Sequence, residues 1–175
     1  MASPIGDLLL IGSDRGLVRI AFEQEGFESV RLRVAQVLHE DIHEGATALL
    51  DLAKRQLTEY FAGERQSFDL PLDRCLSSGF FAEVQEILST IPFGETMSYS
   101  QLAAAAGRPK AHRAAANACA ANPLPFIQAC HRITRSDGTF GGYRGGIEAK
   151  QFLLDLERKE RTVGTEISSV GTCAP

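Results

Sequence analysis

The run Ala129-Cys130-His131-Arg132 sets a thiol, an imidazole and a fixed guanidinium on consecutive residues. A cysteine beside a base and a positive charge spends more time as the thiolate, the form that attacks carbon or binds metal. Three roles are open for Cys130: nucleophile, metal ligand, or small buried hydrophobe. Neighbouring side chains rarely hydrogen-bond each other directly, so a working Cys130-His131 pair needs a turn or a bridging water. The metal role is the weakest. No second ligand pair stands at finger spacing, and His39, His43 and His112 are scattered over positions that read as exposed or helical. Cys75, Cys119, Cys130 and Cys173 have no paired spacing and read as free thiols, Cys173 in a polar tail.

Further residues suited to chemistry lie on either side. Tyr99 and Tyr143 are candidates to stack on a base or hydrogen-bond to it. Gly138, Gly141, Gly142, Gly145 and Gly146 allow close backbone approach to a flat ligand. From Gly94 to Gly146 the bases are Arg108, Lys110, Arg113, Arg132, Arg135 and Arg144 and the acids only Glu95 and Asp137, a window of +4 in a chain of −4. A basic face on an acidic body can hold a phosphate backbone. From Arg113 to Asn122 there is almost no side-chain bulk. Such a helix either packs closely on its neighbours or enters a groove too narrow for an ordinary helix, namely the minor groove, with Arg113 filling the gap left by a displaced base.

The elements that must position these groups follow from hydrophobic periodicity. With 175 residues, 44% hydrophobic and 23% charged, the chain supports a globular α+β fold of one ordinary domain or two small ones. No apolar run reaches the ~20 residues of a membrane span and no signal-peptide pattern is evident, so a cytoplasmic protein is expected. Asp7 to Ile11 and Leu17 to Phe22 read as a hairpin. A polar stretch follows, then an amphipathic helix from Ala46 to Phe61 stopped by Gly63. Phe68 to Leu72 alternates like a strand that Pro71 confines to an edge. This first half carries no obvious chemistry. Phe81, Val84, Ile87, Leu88 and Ile91 share a helical face closed by Pro92. Ser98-Tyr99-Ser100-Gln101 fits a capping box, and Gly107 ends the short helix it starts. Pro109 suits the first position of the next helix, Ala111 to Ala121, completing a helix-turn-helix. A last helix runs from Glu148 to about Glu157.

Ile91-Pro92-Phe93-Gly94-Glu95-Thr96-Met97-Ser98-Tyr99, Gly107-Arg108-Pro109-Lys110-Ala111, Arg113, Ala121-Asn122-Pro123, Cys130-His131-Arg132 and Gly142-Tyr143-Arg144-Gly145-Gly146 together resemble the O6-alkylguanine-DNA alkyltransferases. The likeness also takes in Ser3-Pro4-Ile5-Gly6 and runs to about Glu157. It implies an N-terminal ribonuclease-H-like α+β domain over 1–75, a C-terminal winged-helix or helix-turn-helix domain with the active cysteine over 76–160, and a flexible tail over 161–175. It also implies irreversible transfer of the alkyl group from O6-alkylguanine, and by extension O4-alkylthymine, in double-stranded DNA to the cysteine after base flipping.

Residue by residue, the resemblance implies that Cys130 is the acceptor, His131 the water-relayed base and Glu157 the carboxylate that orients it. It makes Tyr99 an aid to flipping that contacts the guanine, and Asn122 a brace for the cysteine turn. DNA contacts are expected from Arg108, Lys110, Arg113, Ala114, Asn117 and Arg132, and the substrate pocket from Tyr99, Ile133, Tyr143 and Arg144. No cofactor and no metal are expected, and the protein is expected to act as a monomer able to cluster on DNA. Two departures from the family pattern stand out: Ala129 where proline is usual, and Ala115-Ala116-Asn117 where the recognition helix is usually glycine-rich. Competing readings are a lesion binder without catalysis, a transcriptional regulator using the same helices, and a cysteine hydrolase.

Overall fold

A computed structural model describes residues 1–168. β1 (Leu8–Ser13) and β2 (Gly16–Phe22) form an antiparallel hairpin with an irregularity between Ile11 and Gly12. Every residue of β2 is buried, so it is a core strand with no solvent face. The expected strand over 68–72 is reduced to a single parallel bridge, Leu17 to Leu72. Gly16 makes that approach possible, because a Cβ there would lie 2.5 Å from the Pro71 carbonyl oxygen.

Between the hairpin and the expected long helix, the stretch read as polar contains α1 (Phe27–Leu38). Only Val30 and Val34, one turn apart, are buried on it, which is too narrow an apolar stripe to stand out among charged neighbours. α2 (Ala48–Phe61) starts at Thr47, whose hydroxyl accepts from the Leu50 amide at 3.2 Å. It lays Ala53, Leu57, Tyr60 and Phe61 on a core that also takes Leu8, Leu17, Ile20 and Phe22 from the hairpin and Leu124, Phe126 and Leu153 from the second half. The two halves therefore share one core, and burying each of its large apolar side chains contributes about 1.5–3 kcal/mol.

In the second half α3 (Gly79–Leu88), α4 (Tyr99–Ala105) and α5 (His112–Ala120) pack together around Val84, Leu88, Leu102, Ala103, Ala115 and Ala118. The capping box is present: Ser98 Oγ accepts from the Gln101 amide, and Gln101 Oε1 accepts from the Ser98 amide at 2.8 Å. Pro109 lies in the turn ahead of α5 and not in its first turn, since the helix begins at His112. β3 (Met97–Ser98) pairs in parallel with β4 (Ile133–Thr134). This short pairing joins the start of α4, and with it Tyr99, to the turn carrying Cys130. α6 (Ile147–Ser168) continues past the expected end at Glu157. The expected tail over 161–175 thus begins within α6, and its last part, with Cys173, lies outside the described residues.

Candidate active site

Cys130, His131 and Arg132 form one 3-10 turn directly before β4. Consecutive side chains on so tight a turn cannot point the same way. Cys130 faces a cavity, while His131 and Arg132 run into the interior. Asn122 supports the approach to this turn. Its Oδ1 accepts from the Leu124 amide at 2.9 Å and its Nδ2 donates to the Gln128 carbonyl at 2.6 Å. The loop so tied includes Phe126 at φ 73°, a left-handed conformation that a buried aromatic holds only under such constraint. Ala129 sits at φ −72°, within the range a proline ring imposes, so the turn keeps that backbone angle without the ring.

Behind the turn, Glu157 of α6 is fully buried and accepts five hydrogen bonds. Oε1 receives Tyr60 Oη at 2.7 Å, His131 Nε2 at 2.8 Å and Arg132 Nη2 at 2.9 Å. Oε2 receives Arg132 Nε at 2.9 Å and the Gly94 amide at 3.0 Å. Arg132 Nη1 donates to the Ile91 carbonyl. Burial alone would raise the Glu157 pKa, but the hydrogen bonds from His131 and Arg132 and the Arg132 charge outweigh it and hold the carboxyl well below its usual range. An ionised carboxylate can only accept, so the proton of His131 stands on Nε2 and the lone pair on Nδ1. Nδ1 is buried and has no hydrogen-bond partner among the described groups. Burial lowers the His131 pKa against the pull of Glu157, leaving the ring neutral and able to act as a base.

In front of the turn lies a cavity of about 440 Å³. Its walls come from α5 (Ala116, Asn117, Cys119, Ala120), from Asn122, Pro125 and Cys130, from Gly142, Tyr143 and Arg144, and from Tyr99 and Phe22. Burial raises the Cys130 pKa, while the Asn122 side-chain hydrogen bond and the charges of Lys150 and Arg144 pull it down. The resting thiol is therefore protonated, with the thiolate stabilised by named neighbours. Burial also keeps Tyr99 and Tyr143 protonated, as hydrogen-bond donors. A second concavity, about 570 Å³, lies between α1 and the end of α5 and shares Arg144, but no thiol or imidazole lines it.

Of the residues expected from sequence, the fold gathers Cys130, Asn122, Tyr99, Tyr143, Arg144 and Asn117 on the cavity and His131 and Glu157 behind it. Arg108, Lys110 and Arg113 are exposed at the turn and head of α5, Arg108 stacked 4.6 Å over Phe80 and 3.7 Å from Glu83. Ala114 is half-buried beside them. Two expectations are corrected. Arg132 cannot contact DNA, because its guanidinium is buried and committed to Glu157 and Ile91. Ile133 is no part of the pocket wall, because β-pairing with Met97 turns it into the core beneath. Of the glycines expected to admit a ligand, Gly142 lines the cavity with open space beside it, while Gly141 and Gly145 act differently. A Cβ on Gly141 would lie 2.9 Å from Tyr99 Cε2 and one on Gly145 2.7 Å from Phe22 Cε1, so they admit the protein's own aromatic rings.

Several contributors had no sequence signal. Tyr60 reads as one more apolar position of α2. Phe22 ends a hydrophobic strand. Lys150 is fully buried on α6, with Nζ donating to the Ile133 carbonyl. Arg19 pairs with Glu25, which also holds Arg144 at 2.9 Å, and donates to the Asn122 carbonyl at 3.0 Å. A hydrophobic residue at helical spacing looks the same whether or not its far end carries a working hydroxyl.

The chain is similar to known proteins over most of its length. Residues 1–74 match the ribonuclease-like domain of 6-O-methylguanine DNA methyltransferase and residues 79–159 its DNA binding domain. The constitutive methylated-DNA--protein-cysteine methyltransferase of Bacillus subtilis is 38% identical over 157 residues, covering 89% of this chain and 92% of the relative. The chain belongs to the 6-O-methylguanine DNA methyltransferase family. A Methanosarcina barkeri methylated-DNA--protein-cysteine methyltransferase is 37% identical over 89% of this chain and 92% of its own. The Mycobacterium tuberculosis member, solved in complex with DNA, superposes with a TM-score of 0.79 at 37% identity, covering 91% of each chain. Within this methyltransferase family frame, the hairpin, α1 and α2 are the ribonuclease-like part, and α3 to α6 the DNA-binding part.

Proposed function

We propose that this protein repairs alkylated DNA by direct reversal, moving the alkyl group of O6-alkylguanine irreversibly onto Cys130. The observation that carries the reading is the pairing of two faces on one turn. A thiol opens onto a cavity large enough for a flipped base, and the adjacent imidazole is held by an ionised carboxylate in the tautomer whose free nitrogen is a base.

In the reaction the Cys130 proton passes through water to His131 Nδ1. The thiolate attacks the alkyl carbon in line, forming an S–C bond as the C–O6 bond breaks, and the electron pair departs on the guanine oxygen and ring. The guanine then takes a proton, for which the Tyr99 hydroxyl on the cavity wall is a placed donor. A thioether offers no route back, so each molecule acts once. The base reaches the cavity by flipping, at a cost of a few kcal/mol that is smallest for an already weakened pair. α5 is the element suited to the minor groove: its bulky-free outer positions lie beside the cavity mouth, Arg113 is exposed at its head, and Arg108 and Lys110 precede it.

The test is intact-mass measurement after mixing with duplex DNA containing O6-methylguanine. The expected result is a gain of one methyl group that disappears in Cys130→Ala while lesion binding persists. Tight lesion binding with no mass gain would instead identify a non-catalytic binder.

A further inference from the structure

We propose that Tyr60, from the ribonuclease-like half, is a positioning residue of the transfer reaction. Its hydroxyl, donated to Glu157 Oε1, shares the oxygen that holds the His131 Nε2 proton and so sets the orientation and base strength of that imidazole. The inference rests on the alkyl-transfer reading.

The tyrosine is held rigidly. Its ring meets Phe61 at 5.5 Å, Phe68 at 5.3 Å, and Phe93 and Phe126 each at 6.2 Å between centroids. A phenylalanine would satisfy that aromatic cluster equally well. The hydroxyl is an added feature, and burying one without a partner costs about 1–3 kcal/mol. Here it is spent on one atom. Tyr60 Oη lies 2.7 Å from Glu157 Oε1 and 3.3 Å from His131 Nε2.

The proton inventory fixes the direction of each bond. Burial and the Glu157 carboxylate push the Tyr60 pKa well up, so the phenol keeps its proton and donates a hydrogen bond to Glu157. Its oxygen then faces the Nε2–H as a secondary acceptor. Oε1 thus divides its electron density among Tyr60, His131 and Arg132. Without the Tyr60 donor, Oε1 would draw more strongly on the Nε2 proton and His131 would become more basic. The groups facing this pair are Tyr60 from α2, Arg132 from the turn, the Gly94 amide from the loop after α3, and Lys150 from α6, whose charge reaches His131. Cys130 and Tyr143 lie on the cavity side. Among them Tyr60 is the one donor to Glu157 supplied by the N-terminal half. This gives that half a role in the chemistry that no motif in it announces.

The test uses the full chain as wild type, Tyr60→Phe, and Phe68→Leu, the last loosening the same cluster without touching the hydroxyl. Single-turnover methyl transfer is followed against pH, and the His131 ring is titrated by nitrogen NMR. For Tyr60→Phe the expected result is a plateau rate about threefold to tenfold lower, the scale of one hydrogen bond, with the His131 midpoint and the acid limb both moved upward. Phe68→Leu should lower Tm and leave the midpoint in place. An unchanged midpoint in Tyr60→Phe, or an equal shift in Phe68→Leu, overturns the proposal and reduces Tyr60 to packing. If wild type transfers no methyl at any pH, the alkyl-transfer reading fails, and the NMR midpoints still decide the role of Tyr60. Should Tyr60→Phe not fold, 3-fluorotyrosine at position 60, a stronger donor, is expected to move the midpoint downward, and no movement overturns the proposal.

Discussion

The turn at Cys130–Arg132 has two faces that are finished in opposite ways. Behind it, the fully buried Glu157 accepts from five donors, and each nitrogen of the buried Arg132 guanidinium donates to Glu157 or to the Ile91 carbonyl. Set against this, the Tyr143 hydroxyl and His131 Nδ1 are buried with no hydrogen-bond partner among the described residues, and Cys130 opens in front onto a cavity. A saturated buried network admits one geometry, because every departure leaves a charge or donor unpaired in a medium that cannot solvate it. Unpaired groups on a cavity wall cost stability and keep their bonding capacity for a ligand. The back face fixes where the imidazole points, and the front face is reserved for chemistry.

Removing the centre of the back face is the strongest way to break this contrast. Glu157→Ala leaves the buried Arg132 charged without its carboxylate, and takes the acceptor from the Tyr60 hydroxyl. A loss of about 3–5 kcal/mol is expected in chemical denaturation, together with loss of methyl transfer in whatever fraction stays folded. A loss within 1 kcal/mol, about the worth of a single hydrogen bond, would mean the network is not the scaffold described.

Acid should act more gradually and in the same place. His131 has its folded pKa below the ordinary 6.5, so the unfolded chain takes up that proton more readily, and its contribution to stability is lost as pH falls from 6.5 toward the folded value. Glu157, held below the ordinary 4.5, adds a second loss as pH falls beneath 4.5. Tm should therefore decline in two stages on acidification, and Glu157→Ala should shrink the lower one, to which Asp73, also held low, contributes.

The smallest expected effect comes from the front face. Tyr143→Phe deletes a buried hydroxyl that has no partner among the described residues, so Tm should stay level or rise, by no more than about 1 kcal/mol of stability. A clear destabilisation would show that Tyr143 belongs to the structural network after all.

How much of this was legible beforehand depended on the range over which each signal acts. The hairpin, the helix expected over Ala46 to Phe61, the capping box at Ser98 and the helix-turn-helix follow from spacings of two to four residues, and all are present, the helix starting at Ala48. α1 was hidden because its buried stripe is two valines wide. The motif around Cys130 carried the family resemblance, but a basic residue in a basic window looks like a DNA contact, and only the burial of Arg132 against Glu157, 25 positions away, removes it from that set. Ile133 was misplaced for the same reason. One step along the chain turns a side chain from cavity to core, and the β3 to β4 pairing decides which.

The sequence by itself determined the local elements, the acceptor candidate Cys130 with an imidazole and a guanidinium beside it, and the basic helix head, while the carboxylate Glu157 came only with the family resemblance. Those properties are chemical and short-range, and they survive without coordinates. Only the tertiary structure decided that Glu157 is the hub of a saturated cluster, that Tyr60 and Phe22 from the first half reach the site, and that consecutive residues of one turn serve opposite faces. These outcomes depend on residues distant in sequence sharing one buried volume, where the cost of an unpaired charge or hydroxyl selects a single arrangement.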